Sequence, residues 1–149
     1  MKKESVWDYP RPPAIERTTK RIRIVLNGHP VVDTTEAYRV LETSHPPVYY
    51  VPRSAVIGGD LIPNSRRTFC EFKGVAHYWD IRVGDEFVSA AAWSYPSPTP
   101  RYEPLAGFLA FYPSKMDECW VDDEQAFPQK SDFYGGWITP DIEGPFKSS

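Results

Sequence analysis

A chain of 149 residues with 41% hydrophobic content can bury one real core, which excludes a disordered or fibrous protein. A net charge of -3 supplies no basic field for gripping nucleic acid non-specifically and no polybasic patch for an anionic membrane. Sixteen prolines, about twice the ordinary share, forbid long uninterrupted helices, while 5 Trp, 9 Tyr and 8 Phe carry large areas to bury.

Cys70 and Cys119 are too few for a disulfide framework or a Cys-only metal site. No apolar run approaches the roughly 18 residues that a membrane span needs. Met1-Lys2-Lys3-Glu4-Ser5 leads into Trp7-Asp8-Tyr9-Pro10 instead of an apolar segment. No signal peptide is expected, and the cytoplasm is the default location.

The first twenty residues carry Pro10, Pro12 and Pro13 and then a charged stretch from Glu16 to Arg21. They read as an extended arm pinned to the domain by Trp7 and Tyr9. Arg21-Ile22-Arg23-Ile24-Val25-Leu26 opens with the charged–apolar alternation of a half-buried strand. Asn27-Gly28 is the strongest short hairpin signal, and Pro30 puts the return strand at an edge or starts it after the proline. Asp33 and Glu36 have capping-box spacing, predicting a short helical turn through Thr34 to Tyr38.

His45-Pro46-Pro47 is a hard break, and Val48 to Val51 is a compact strand closed by Pro52. Two adjacent glycines and Pro63 predict a loop with one helical turn from Ser54 to Ser65. In the regular stretch from Thr68 to Val83, a turn at Lys73-Gly74 sets Cys70 opposite His77 and Phe72 opposite Val75. Gly84-Asp85 turns into a strand from Glu86 to Ala92, and the proline-rich run from Trp93 to Pro100 lies outside the sheet. Leu105 to Tyr112 reads as an apolar strand, and Asp117 to Glu124 as an acidic, solvated turn region. Phe133 to Ile138 offers a last aromatic contact.

These seven or eight short strands at hairpin spacing, without an amphipathic helix, predict a mostly β chain. It has an arm over 1–20 and a single domain over 21–146, whose antiparallel sheets fold into a small barrel or sandwich.

Several motifs in order give the chain a family likeness. They are Ser5-Val6-Trp7-Asp8-Tyr9-Pro10-Arg11-Pro12-Pro13, Arg39-Val40-Leu41-Glu42-Thr43-Ser44-His45-Pro46-Pro47, and Tyr49-Tyr50-Val51-Pro52. Cys70 with Lys73-Gly74 and Ala76 forms a further element, followed by Ala92-Trp93-Ser94-Tyr95-Pro96-Ser97-Pro98 and Ala110-Phe111-Tyr112. The tail Ile138-Thr139-Pro140-Asp141-Ile142 with Gly144-Pro145-Phe146-Lys147 adds another. Across nearly its whole length the chain resembles the family catalogued as domain of unknown function 427. The resemblance implies a compact β fold related to the Mss4-like folds, and no established activity.

Ala55 stands where the family pattern carries an aspartate, so a role needing that carboxylate does not transfer. The paired Cys-x-x-Cys motifs with which relatives of the broader fold hold zinc are absent from the sequence. A nucleotidyltransferase label attaches to the family, but the chain has neither a Gly-Ser turn with a paired Asp motif nor a Gly-rich phosphate loop.

The sharpest candidate constellation is Cys70, Lys73, His77 and Glu42. An imidazole or ammonium beside a cysteine raises its thiolate fraction, which nucleophilic chemistry requires. Against that stands the ordinary small buried cysteine, and a one-residue change in loop length would move His77 to the other face. Lys73 can pair a ligand's carboxylate or phosphate. Glu42, beside apolar Leu41, needs a partner such as Lys73 or Arg53 if it faces inward; general acid–base work is the alternative.

Trp93, Tyr95, Tyr50, Tyr112 and Phe111 line either a core or a cleft for a flat or amphipathic ligand. Arg66-Arg67 beside aromatics is thin evidence for nucleic acid in an acidic chain. His29, His45 and His77 lack metal-ligand spacing, and no metal or cofactor is expected. Three functions stay open: a small-molecule binding domain using Lys73, Glu42, Trp93 and Tyr95; an enzyme using Cys70 or Glu42; and an interaction module presenting Trp93 to Pro100.

Overall fold

The computed structural model of the protein describes residues 3–131 and 133–148. Frequent prolines and glycines cut the chain into short extended pieces: β1 (Glu4–Ser5), β2 (Ala14–Thr18), β3 (Ile22–Leu26), β4 (His29–Thr34), β5 (Ala37–Leu41) and β6 (Val48–Tyr50). The longest strands are β7 (Asp60–Cys70), β8 (Gly74–Val83) and β9 (Glu86–Ser94). After them come β10 (Leu109–Phe111), β11 (Glu118–Val121), β12 (Glu124–Gln125), β13 (Phe127–Pro128), β14 (Trp137–Ile138) and β15 (Ile142–Glu143). The described helices are single 3-10 turns or, at Pro100–Leu105, two merged across a kink, and none is long and apolar enough to cross a membrane.

The chain is a mostly β, single domain of several antiparallel sheets. One runs β10-β9-β8-β7, a second β12-β11-β3-β4 and a third β2-β5-β6. The first and third are joined by a bridge in which Val51 and Leu109 exchange both backbone hydrogen bonds at 2.8 Å. β1 pairs in parallel with β15, tying the two ends of the chain together.

Successive residues of a strand face opposite ways, and the central strands are covered on both faces. Tyr49 belongs to a core shared with Ile22, Ile24, Leu26, Ile81, Leu109, Phe111 and Trp137. Tyr50 belongs to a second core with Val40, Ala76, Tyr78, Trp93, Tyr95, Tyr102 and Tyr112. The same division separates Ala92 from Trp93 and Phe111 from Ala110. β9 enters this two-sided region at a bulge, where Ala90 has φ 48° and the β8 register breaks between Trp79 and Ile81. Asp80 Oδ1 fixes the bulge by accepting from the Ala90 N–H and the Asn64 amide, both at 2.7 Å.

The predicted strand at Ile22–Leu26 and its Asn27-Gly28 hairpin form, and β4 with Pro30 lies at a sheet edge. Other segments differ. Residues 14–18 of the expected arm form β2, paired with β5 from Ala14↔Leu41 to Thr18↔Ala37. Of the two aromatics expected to pin that arm, Tyr9 is buried but Trp7 is 54% exposed. No helix follows Thr34: its hydroxyl caps the Glu36 N–H in a local turn, and β5 begins at Ala37. β7 starts at Asp60 inside the expected loop, because an edge strand tolerates Pro63.

The strand expected from Leu105 to Tyr112 is confined to β10, with Leu105 ending the 3-10 segment, and Trp93 and Ser94, expected outside the sheet, end β9. The expected acidic turn contains β11, a central strand between β3 and β12. Its Cys119 and Val121 are buried, while Glu118 and Trp120, which alternate with them, are half-buried.

Candidate functional site

The outer ends of β5, β6 and the β7–β8 hairpin do not close on one another, and a cavity of about 250 Å³ remains between them. β5 and β6 contribute Val40, Val48 and Tyr50, and β7 contributes Thr68 and Cys70. Phe72 and Lys73 come from the hairpin loop, and Tyr78, Trp93, Tyr95 and Tyr112 form the aromatic wall. The break after β5 supplies Glu42, His45 and Pro46, while Gln129, Phe133, Tyr134 and Gly135 close the far side. Gly135 permits that closure: a Cβ there would sit 2.6 Å from the Trp93 ring.

Six of the residues singled out from sequence as ligand contacts, Lys73, Glu42, Trp93, Tyr95, Tyr50 and Tyr112, line this one cavity, with Cys70 beside them. His77 does not. The hairpin loop is Glu71-Phe72-Lys73, and Cys70 lies opposite Gly74, Phe69 opposite Val75 and His77 opposite Arg67. Gly74, at φ 108°, opens the return strand instead of sitting in the turn. The loop is thus one residue longer than predicted, and alternation turns His77 to the face away from Cys70, Ala76 and Tyr78. The expected Cys70–His77 pair is therefore not formed.

Glu42 is not a buried partner of Lys73 or Arg53. Its carboxylate lies 3.6 Å from the Arg11 guanidinium, with the glutamate side chain 26% and the arginine 54% exposed. Arg53 stacks 4.8 Å from the Trp79 ring centroid instead. A pair this open contributes little stability, so Glu42 serves the cavity rim more than the fold.

Lys73 is 8% exposed, yet its ammonium has no ion pair and no hydrogen bond among the described residues. Its nearest polarisable neighbours are the rings of Tyr95 and Tyr102, each with its centroid 5.9 Å from Nζ. The loop that carries it is held from both sides: Thr99 N–H donates to the Lys73 carbonyl and the Thr99 hydroxyl to the Phe72 carbonyl. Burial raises the Tyr50, Tyr95 and Tyr112 hydroxyls above the ordinary phenol range, so they stay neutral. Trp93 Nε1 donates to Tyr50 Oη at 3.2 Å, and Trp93 and Tyr112 have centroids 4.6 Å apart.

His45 is the site residue that sequence reasoning missed. The Gln129 carboxamide fixes its state: Oε1 accepts from Gly136 N–H at 3.2 Å, while Nε2 donates to the Lys147 carbonyl at 2.6 Å. Nε2 must therefore donate also to His45 Nδ1, 3.1 Å away. That assignment leaves the imidazole neutral with its proton on Nε2. Burial is the largest influence lowering its basicity, partly opposed by Glu42.

The unfolded chain then takes up the proton first. The stability that neutral His45 contributes is complete above pH of about 6.5 and is lost as the pH falls toward its lower folded value. Melting temperatures across that window are expected to decline in the native protein, with a shallower decline in His45→Asn; equal slopes would refute the assignment. No local pattern in the sequence announces this group, because Gln129 lies 84 residues away.

The architecture and this cavity define a β domain with a single-sided pocket. The family described as a domain of unknown function (DUF427) matches residues 14–122, and the chain belongs to it. Comparison with curated proteins gives no match. The matched span carries β2 to β11 and with them most of the cavity, whereas Gln129, Phe133, Tyr134 and Gly135 lie beyond it.

Proposed function

We propose that this protein is a binding domain for a small polar or anionic ligand, which seats in the cavity with its negative charge at Lys73. One observation carries the reading: a largely buried lysine lines the cavity, and its ammonium has no ion pair and no hydrogen bond among the described residues. A ligand anion would give that ammonium the charge-assisted hydrogen bond that the described residues do not. The neutral tyrosine hydroxyls and His45 supply further donors.

The test is a thermal-shift screen against nucleotides, sugar phosphates, organic acids and divalent metals. A ligand at a hundred times its dissociation constant stabilises the native state by about 2.7 kcal/mol. The expected result is a saturable rise in melting temperature that Lys73→Ala abolishes while remaining folded. A rise of equal size in Lys73→Ala would contradict the reading.

Cys70 in the same cavity supports a second reading, an enzyme with a nucleophilic thiol, for which the Lys73 ammonium on the same lining would favour the thiolate. Alkylation of Cys70 at neutral pH faster than that of a free thiol supports it; an ordinary rate removes it. The interaction-module reading draws no support from the stretch from Trp93 to Pro100, since Trp93, at the end of β9, and Tyr95 are both buried. A closed barrel or sandwich of the Mss4-like kind and a cytoplasmic location belong to this proposal as well. The family resemblance supports the fold.

A further inference from the structure

We propose that the cavity takes a small aromatic or heteroaromatic monocarboxylate, its carboxylate between Lys73 and His45 and its ring against Trp93 and Tyr112. This rests on the ligand-binding reading above and narrows it to a chemical class.

Size sets the first limit. An apolar cavity of about 150 Å³ holds benzene, so about 250 Å³ has room for one ring with an acidic group. A nucleoside triphosphate is far larger. Charge sets the second limit. Lys73 is the one cationic side chain among the described residues of the lining, because His45 is held neutral through Gln129. Glu42 and Glu71 lie on the same lining, and among the described residues Glu42 alone of the two has a cationic partner, Arg11. Either anion meets one ammonium and two carboxylates, and the carboxylates repel a dianionic phosphate ester about twice as strongly as a monoanion.

The donors fit a carboxylate. Lys73 and His45 both line the cavity, so an ammonium and an imidazole N–H are on hand for its two oxygens. The walls fit a ring. Trp93 stands edge-on to Tyr50, centroids 6.2 Å apart, and is tilted against Tyr112 at 4.6 Å. Such rings accept a further aromatic edge or face more readily than an aliphatic ring of the same volume.

The experiment is titration calorimetry of the full chain with benzoate and 4-hydroxybenzoate. Benzyl alcohol, cyclohexanecarboxylate, inorganic phosphate and adenosine monophosphate serve as comparison probes, and Lys73→Met is titrated beside the native protein. Its fold is checked by thermal melting. One-to-one binding of an aromatic carboxylate is expected, weakened about tenfold or more in Lys73→Met and for benzyl alcohol. Cyclohexanecarboxylate is expected to bind several-fold more weakly.

Benzyl alcohol binding as well as benzoate would overturn the proposal, since the site would not read charge. Tighter Lys73-dependent binding of adenosine monophosphate or phosphate would overturn the aromatic carboxylate and leave the anion site standing. If no probe binds, the class fails; if no ligand of the thermal screen shows a Lys73-dependent shift either, the anion site fails with it.

Discussion

Trp137→Ala is expected to lower stability by about 4 kcal/mol. The indole is 1% exposed, its ring centroid lies 5.0 Å from that of Tyr49, and its backbone N–H donates to the Pro47 carbonyl at 2.8 Å. Truncation leaves a cavity in the first core and releases the segment whose Gly135 and Gly136 press on Trp93 and Gln129. Trp137 also carries a buried indole N–H with no hydrogen-bond partner among the described residues. Trp137→Phe keeps most of the ring and removes that orphaned donor, so its loss is expected to be about 1 kcal/mol. Denaturant unfolding of the two variants checks the pair. Equal losses would mean that the ring's packing is not what holds the segment.

Arg39→Ala is the second large effect, at about 2 kcal/mol. Arg39 is a 12% exposed side chain on β5 that forks between two carboxylates. It donates to Glu4 at 2.8 and 3.1 Å and to Glu16 at 2.7 Å, while the Tyr9 hydroxyl donates to Glu4 at 2.6 Å. One side chain thus binds β1 and β2 to the sheet. The figure stays below that of a fully buried pair because both glutamates are 40% exposed or more.

The hydrogen bond from Arg39 holds the Glu4 carboxyl below its ordinary range. That part of the stability is present above the unfolded value of about 4.3 and is lost as the pH falls through the lower folded value. Unfolding at neutral pH and at pH of about 3 is expected to show a smaller penalty for Arg39→Ala in acid. A penalty independent of pH would assign the effect to lost packing of the arginine stem.

What was legible in the sequence divides along the range of the interactions. Alternation at Ile22–Leu26 and the Asn27-Gly28 turn are local, and the structure has both. β11 was hidden because Asp117, Glu118, Asp122 and Asp123 surround the two residues, Cys119 and Val121, that show its buried face. Loop length at Glu71–Lys73 decided which face His77 took, and one glycine signal fits either length. Lys73, Tyr50, Trp93, Tyr95 and Tyr112 stood out as polar-tipped aromatics and a lysine near proline and glycine breaks. His45 did not, since its chemistry depends on Gln129 and Tyr134, brought to it by long-range folding.

The most direct measurement is the stability of ligand-free Lys73→Met against the native protein. A lysine kept for the fold would be missed when removed. If it is kept for an anion, Met keeps the packing of the stem, and only ring contacts worth about 1 kcal/mol are lost. Stability within about 1 kcal/mol of the native protein, with the thermal response to ligands abolished, is the predicted result. A loss of about 3 kcal/mol, as when one partner of a buried pair is removed, would contradict the account and make Lys73 a structural residue.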